Sequence, residues 1–313
     1  MTDPTVATGA APDTERPSTF RIWLLAIRPA TLPAAVSGVV VGLGAALAVG
    51  TPFRVDAALG CLAVALLLQI AANLANDLSD FRAGADTPDR MGPTRVAAAG
   101  LVTERRLEIA IALVVIVAGL VGLALVAIGG PALLVVGALA MVAAVAYTGG
   151  PWPYGYHGLG EVFVFVFFGL VAVVGTAYLQ AGRVEPLFVA AALPVGALTT
   201  AILAVNNLRD IPTDATAGKR TLAVILGRRA TVGEYVVLVT VAFLVPLLLA
   251  AGGLGWPLLL PLLATPLAWP LVARVRSFAE PRQLNPVLKG TARLTLVHAL
   301  LFATGLTLAG AIA

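Results

Sequence analysis

Six oxygen-bearing side chains in two clusters are the part of this sequence best suited to chemistry. In the first cluster Asn73, Asp77 and Asp80 stand at i, i+4 and i+7, at the end of a long apolar run. At ~100° per residue these positions fall within about 60° of one another, so they share one helix face. In the second cluster Asn206, Asp210 and Asp214 stand at i, i+4 and i+8, again closing an apolar run. Mg2+ takes oxygen ligands, usually one or two carboxylates together with waters and substrate phosphate oxygens. Two opposed carboxylate clusters therefore suit a diphosphate held between metal ions. The asparagines can add amide oxygens without adding negative charge. With two histidines and one cysteine in the whole chain, zinc and copper chemistry is disfavoured.

Basic residues beside the clusters form the second half of such a site. Lys219 and Arg220 follow Asp214, Arg82 follows Asp80, and Arg90 and Arg95 lie further along. Groups of this kind hold phosphate and stabilise a departing diphosphate. Arg105, Arg106, Arg228, Arg229, Arg274 and Arg276 read instead as ordinary charges at a membrane edge. For one cluster alone, plain ion pairing of Asp77 and Asp80 with Arg82 would be as good an account. Recurrence of the pattern tips the reading toward function, because carboxylates in a span are expensive. A third stretch, YTGGPWPYGYHGLGE (147–161), has no Lys or Arg but is rich in aromatic residues. Tyr147, Tyr154, Tyr156 and His157 are placed to line a pocket for a flat aromatic molecule. His157 and Glu161 are the candidates there for taking up a proton. His298, in the last apolar run, reads as a structural group bonded to a neighbouring helix.

The elements that must position these residues are membrane helices. The chain is 59% hydrophobic and 12% charged, with a mean hydropathy of +0.97, which is far from the composition of a soluble domain. Apolar segments recur at 32–50, 56–76, 107–128, 131–148, 160–180, 186–206, 232–251, 255–273 and 293–312. Each is near the ~20 residues that cross ~30 Å of hydrocarbon as a helix, so nine spans are expected. Gly-Gly-Pro at 129–131 and Gly-Gly-Leu-Gly at 252–255 are the natural breaks between close pairs. Residues 1–20 are polar and proline-containing and read as a disordered cytosolic tail, leaving 21–313 as one membrane domain. RIWLLAIRPA (21–30) reads as an interfacial lead-in. Cys61 lies in an apolar run and reads as a buried, inert thiol.

Orientation follows from the basic residues. With the N-terminus inside and nine spans, every Lys and Arg except Arg54 and Arg183 falls on the inner side. The positive-inside rule then places both Asp-containing loops in the cytoplasm and the C-terminus outside the plasma membrane. The net charge of +4 is thinly spread and gives no sign of nucleic-acid binding. The same separation divides Asn73 from Asn206 and Asp77 from Asp210. A parallel internal repeat folded into one bundle around a central cavity would bring the two clusters face to face.

These blocks resemble the UbiA superfamily of intramembrane aromatic prenyltransferases. The resemblance is carried by RPATLPAAVSG (28–38), NLANDLSDFRAGADTPDR (73–90), YTGGPWPYGYHGLGEVFVFVFFG (147–169), NNLRDIPTDATAGKRTLAVILG (206–227) and NPVLKGTARLTL (285–296). It implies an all-α, nine-helix bundle around a central cavity. The third and fifth blocks point to the branch that acts on 1,4-dihydroxy-2-naphthoate. The implied reaction moves a polyprenyl group from its diphosphate onto that ring, releasing diphosphate and CO2 and giving a demethylmenaquinone. By the same resemblance Asp77, Asp80, Asp210 and Asp214, with Asn73 and Asn206, bind diphosphate through Mg2+, and Lys219 joins the four acids in catalysis. Arg28, Arg82, Arg220, Tyr147, Tyr154 and His157 are implied in substrate binding, and the prenyl tail lies in an apolar groove open to membrane lipid. Where some relatives have an acid four residues after Asp80, this chain has Gly84, and its next acid is Asp86. Two other readings stand beside this one: a related enzyme using 4-hydroxybenzoate or homogentisate, and a secondary transporter using Asp as a cation site.

Overall fold

The computed structural model describes residues 17–84, 92 and 95–312. Most of the expected tail, along with Asp86 and Arg90, lies outside the described residues. Helix α1 (Thr19–Ile27) begins inside the stretch read as tail, where Ser18 Oγ accepts the Arg21 N–H at 3.4 Å. Then follow α2 (Leu32–Ala48), α3 (Val55–Arg82), α4 (Glu104–Gly129) and α5 (Ala132–Ala146). Helix α6 (Gly160–Val164) continues through a π-helical stretch at Phe165–Val171 into α7 (Ala172–Ala181) as one rod. The chain finishes with α8 (Pro186–Thr216), α9 (Leu222–Leu249), α10 (Thr265–Ser277) and α11 (Asn285–Ile312). The described residues contain no strand.

Eight helical rods among the described residues are long and apolar enough to cross a membrane. The ninth expected span corresponds to α5, whose 15 residues cover only about 22 Å. Helices α3 and α8 run well past the apolar segments that announced them. With 28 and 31 residues they reach about 42 and 46 Å, longer than the ~30 Å hydrocarbon layer. Their last turns carry the polar clusters, so amide and carboxylate groups stand at helix ends and not at mid-membrane. Helix α8 continues to Thr216 even though Pro194 and Pro212 lie inside it.

Small residues set the helix spacing. Helix α2 packs between α7 and α11. A methyl group at Gly42 would stand 2.6 Å from Val173 O, and one at Gly44 would stand 2.7 Å from Ala303 Cα. Close backbone approach of this kind drives helix association where lipid removes the hydrophobic incentive. Gly44→Val is therefore expected to destabilise the bundle by at least ~1–3 kcal/mol through overpacking, read as a lower unfolding midpoint in detergent. The densest core lies among α8, α9, α10 and α11, around Leu198, Tyr235, Leu284 and Leu294. By contrast, Leu113, Val117, Leu139 and Val142 on α4 and α5 are exposed, the pattern of helix faces turned to lipid. His298 is buried and bonds Ala242 O of α9 at 3.0 Å, the structural place expected of it.

Candidate active site

Two cavities meet inside the bundle. The larger, about 690 Å³, is walled mainly by apolar side chains of α2 to α7. The smaller, about 80 Å³, is polar and lies between the ends of α3 and α8. Arg28, Asn76, Tyr147 and Asn206 line both, so they mark the junction. Arg28 reaches it from a left-handed backbone conformation (φ 55°), uncommon for a residue with a side chain.

The polar pocket brings the two clusters together, as the repeat predicts. Asp80 is its most enclosed acid, with 2% of its side chain exposed. Lys219 Nζ donates to Asp80 Oδ1 at 2.7 Å, Arg95 pairs with Oδ2, and the Tyr156 hydroxyl donates to Oδ1. Lys219 Nζ also stands 4.0 Å from Asp214 Oδ1, so this one cation links the acids of both clusters. Asp210 is gripped at both oxygens by its neighbour Arg209, at 2.8 and 2.6 Å. Asp210 and Asp214 each keep 14% of the side chain exposed, and both line the pocket. The Lys219 loop is fixed by its backbone: Lys219 N donates to Asp214 O at 2.9 Å and Arg220 N to Tyr156 O at 3.0 Å.

Several residues expected at the site stand elsewhere. Asp77 turns away, and its two oxygens accept the Val96 and Ala97 N–H groups at 3.1 and 3.0 Å. It pins the segment that carries Arg95 and does not line the polar pocket. Asp77→Ala is accordingly expected to cost about 2–4 kcal/mol of stability, since each hydrogen bond to a charged acceptor is worth ~1.5–3 kcal/mol. Its unfolding midpoint should fall clearly, whereas Asp214→Asn in the pocket should leave the midpoint nearly in place. Asn73 lies against the apolar cavity with its amide used up. Its Nδ2 donates to Ile27 O and Thr31 Oγ1, and its Oδ1 accepts from Gln69. Asn206 does line the pocket, but its Oδ1 accepts from Arg209 at 2.9 Å, so it is Nδ2 that is left to face a ligand. Asn73 thus stands outside the polar pocket, and the Asn206 oxygen is shared with Arg209. Arg82 points outward to Glu104 and Glu108, because it follows Asp80 by two residues and so leaves the opposite side of the helix. Arg220 is exposed and contributes only its backbone. His157 is exposed as well, stacked on Trp152 with ring centroids 4.7 Å apart.

Other residues join the site with little advance signal. Asn76 sits about 40° from Asp80 around the helix, on the side away from Asp77, so the helical wheel alone would have found it. Arg209 is 2% exposed and ties Asp210 and Asn206 to Asn285 of α11. An arginine this deeply buried has no sequence signature, since arginines usually sit at surfaces. Of the aromatic stretch, Tyr147 and Tyr154 reach the larger cavity and Tyr156 turns to Asp80. Tyr147 and Tyr154 meet edge to face with centroids 5.5 Å apart, Tyr154 stacks on Phe163 at 4.0 Å, and all three line the larger cavity.

Burial pushes the hydroxyls of Tyr154 and Tyr156 above the usual tyrosine range, and for Tyr156 the Asp80 carboxylate adds to this. Tyr156 thus stays protonated as a donor to Asp80. A proton held more tightly in the folded state stabilises it fully below the unfolded tyrosine pKa of about 10. That contribution is lost as pH rises beyond this value. The unfolding midpoint should drop on going from pH 10 to 11, and Tyr156→Phe should flatten part of the slope.

Comparison with known proteins decides the family. The model of the UbiA prenyltransferase family matches residues 35–287. This chain belongs to that family. A Mycobacterium tuberculosis protein named 1,4-dihydroxy-2-naphthoate octaprenyltransferase is 44% identical over 289 residues, covering 92% of this chain and 98% of the relative. The Escherichia coli protein of the same name is 40% identical, covering 93% and 96%. Among solved structures, a UbiA homologue from Archaeoglobus fulgidus bound to GPP and Mg2+ superposes with a TM-score of 0.63 at 13% identity, covering 90% of this chain and 99% of that one. At that identity the likeness speaks for the fold. The chain is thus an all-helical, multi-pass membrane protein of the UbiA family, and its polar pocket joins Asp80 of the first cluster to Asn206, Asp210 and Asp214 of the second.

Proposed function

We propose that this chain transfers a polyprenyl group from polyprenyl diphosphate to 1,4-dihydroxy-2-naphthoate, a step of menaquinone synthesis. The observation that carries the reading is the junction itself, where a polar pocket of acids and cations opens onto a large apolar cavity with an aromatic wall. An amphiphile with a diphosphate head and an isoprenoid tail fits that shape, head in the smaller cavity and tail in the larger. The relatives named as 1,4-dihydroxy-2-naphthoate octaprenyltransferases match over nearly their full length, which supports the acceptor.

The donor set suits Mg2+. Asp80, Asp210 and Asp214 offer only oxygens, with Lys219, Arg95 and Arg28 around the same pocket and Arg209 paired to Asp210. A diphosphate would add negative charge beside these carboxylates, which favours a divalent cation bound with it. No three acids, histidines or cysteines among the described residues gather into a self-sufficient metal cage. This accords with Mg2+ held partly by substrate phosphate oxygens. When bound, Mg2+ would neutralise charge building on the leaving diphosphate.

The chain's own groups supply the rest. Lys219, Arg95 and Arg28 hold the phosphate oxygens, and Asn76 and Asn206 present N–H donors at the junction. As the C–O bond to diphosphate breaks, the allylic carbon gains cationic character beside the aromatic wall of Tyr147 and Tyr154. The acceptor ring carbon bonds to it, and loss of CO2 restores the aromatic ring. The prenylated product is the reduced form of a demethylmenaquinone. Tyr154, tied through its hydroxyl to Ala143 O at 2.8 Å, keeps the wall rigid. The basic residues around the pocket support a cytoplasmic placement by the positive-inside rule. Chelation tests the metal requirement: EDTA should stop diphosphate release and added Mg2+ restore it, and indifference to both would overturn this reading.

A further inference from the structure

The asparagines of the polar pocket are not equivalent. Thr148 Oγ1 donates to Asn76 Oδ1 at 2.7 Å, and Arg209 donates to Asn206 Oδ1 at 2.9 Å. In both amides the oxygen already serves a protein donor, so the NH2 group is the part left without a protein partner. Asn207 is held the other way round: its Nδ2 donates to Glu161 Oε1 at 2.8 Å. Among the described residues Asn207 Oδ1 makes no hydrogen bond, yet it is not one of the buried polar atoms left without a partner. It therefore reaches the surface of the pocket that Asn207 lines.

Glu161 lies in the first turn of α6 and is only 5% exposed. It does not line the polar pocket, and its second oxygen, Oε2, is buried with no partner. A carboxylate buried and half-satisfied is costly unless it does something for a neighbour. Its neighbour here is Asn207, whose amide can offer a carboxylate only its N–H.

We propose that Glu161 is a positioning residue that holds the Asn207 amide so that its oxygen, and not its NH2 group, faces the cation side of the polar pocket. This rests on the metal-diphosphate reading above. The pocket is then divided by hydrogen-bond polarity. Asn76 and Asn206 face phosphate with donors, and Asn207 faces the metal with an acceptor. Without Glu161, the Asn207 amide is free to turn, and its NH2 would meet the positive ion. Partners that orient a ligand in this way typically matter 10–100-fold for metal affinity or activity.

The test compares Glu161→Leu with Glu161→Gln. Leucine removes the acceptor at similar volume, and replacing a buried carboxylate with an apolar group is often neutral or stabilising. Glutamine keeps an acceptor oxygen for Asn207 Nδ2. Binding of inorganic pyrophosphate is measured by calorimetry across a Mg2+ series, beside unfolding midpoints and turnover. Glu161→Leu should keep its midpoint and need at least about tenfold more Mg2+ for half-maximal pyrophosphate binding. Glu161→Gln should recover to within about threefold. Equal losses in both variants would mean that the charge or a proton on Glu161 matters, and would overturn the assignment. So would an unchanged Mg2+ requirement in Glu161→Leu. If Glu161→Leu does not fold, Glu161→Gln alone decides, since a tenfold loss there contradicts the proposal and recovery supports it. Mg2+-independent pyrophosphate binding by the unmodified chain would overturn the metal reading itself, and this assignment with it.

Discussion

Asp214→Asn is expected to lower turnover by about 10²–10³-fold, the range seen when one electrostatic partner of a developing charge is removed. The substitution keeps shape and removes charge. Asp214 lines the pocket with 14% of its side chain open, and its backbone carbonyl would go on accepting the Lys219 N–H. The loop should therefore hold, and the unfolding midpoint should stay within a few degrees. Higher Mg2+ should recover part of the rate, because the lost ligand weakens the ion's hold and leaves the pocket's shape intact. Steady-state rates across a Mg2+ series, with unfolding curves on the same samples, check this. A normal rate at ordinary Mg2+ would remove Asp214 from the site.

Lys219→Met is expected to have an effect of similar size by another route. Lys219 Nζ lies 2.7 Å from Asp80 Oδ1, 4.0 Å from Asp214 Oδ1 and 4.7 Å from the Tyr156 ring centroid. Removing one partner of a buried ion pair usually costs 3–5 kcal/mol because a charge is stranded. Asp80 would not be stranded, since Arg95 and the Tyr156 hydroxyl still bond it. The stability cost should fall below that range, and the deficit should appear in function. The pocket would lose a cation that joins Asp80 to Asp214. The KM for polyprenyl diphosphate should rise and kcat fall, together lowering kcat/KM by about 10²-fold or more. A change in KM alone would mean that Lys219 binds the ground state and gives nothing extra as the diphosphate leaves.

The helices and the meeting of the two clusters were legible because both rest on strong, repeated signals. Apolar runs of membrane length give helices almost irrespective of detail. Two Asn/Asp patterns at equal separation gave the pocket its two sides. What could not be read was which atom of each side chain faces the ligand. Asp77 and Asp80 differ by only about 60° around α3, yet the return of the chain at Val96 and Ala97 makes one a backbone cap and leaves the other in the pocket. Asn206 and Asn207 are neighbours of identical type. Arg209 on one and Glu161 on the other give them opposite polarity, and those partners come from tertiary packing. Arg82 yields its expected place at the site to Arg95 for a like reason. Proximity in sequence to Asp80 favoured Arg82, whereas the fold turns Arg82 to Glu104 and Glu108 and brings Arg95 back to Asp80.

The most direct test of the account is product identification with the purified chain in detergent or bilayer. Polyprenyl diphosphate and Mg2+ are supplied with either 1,4-dihydroxy-2-naphthoate or 4-hydroxybenzoate, and the lipid products are weighed by mass spectrometry. The account predicts a decarboxylated, prenylated naphthoquinol or its quinone from the first acceptor and no prenylated product from the second. Prenylated 4-hydroxybenzoate as the main product, or no product from either acceptor with the protein folded, would contradict it.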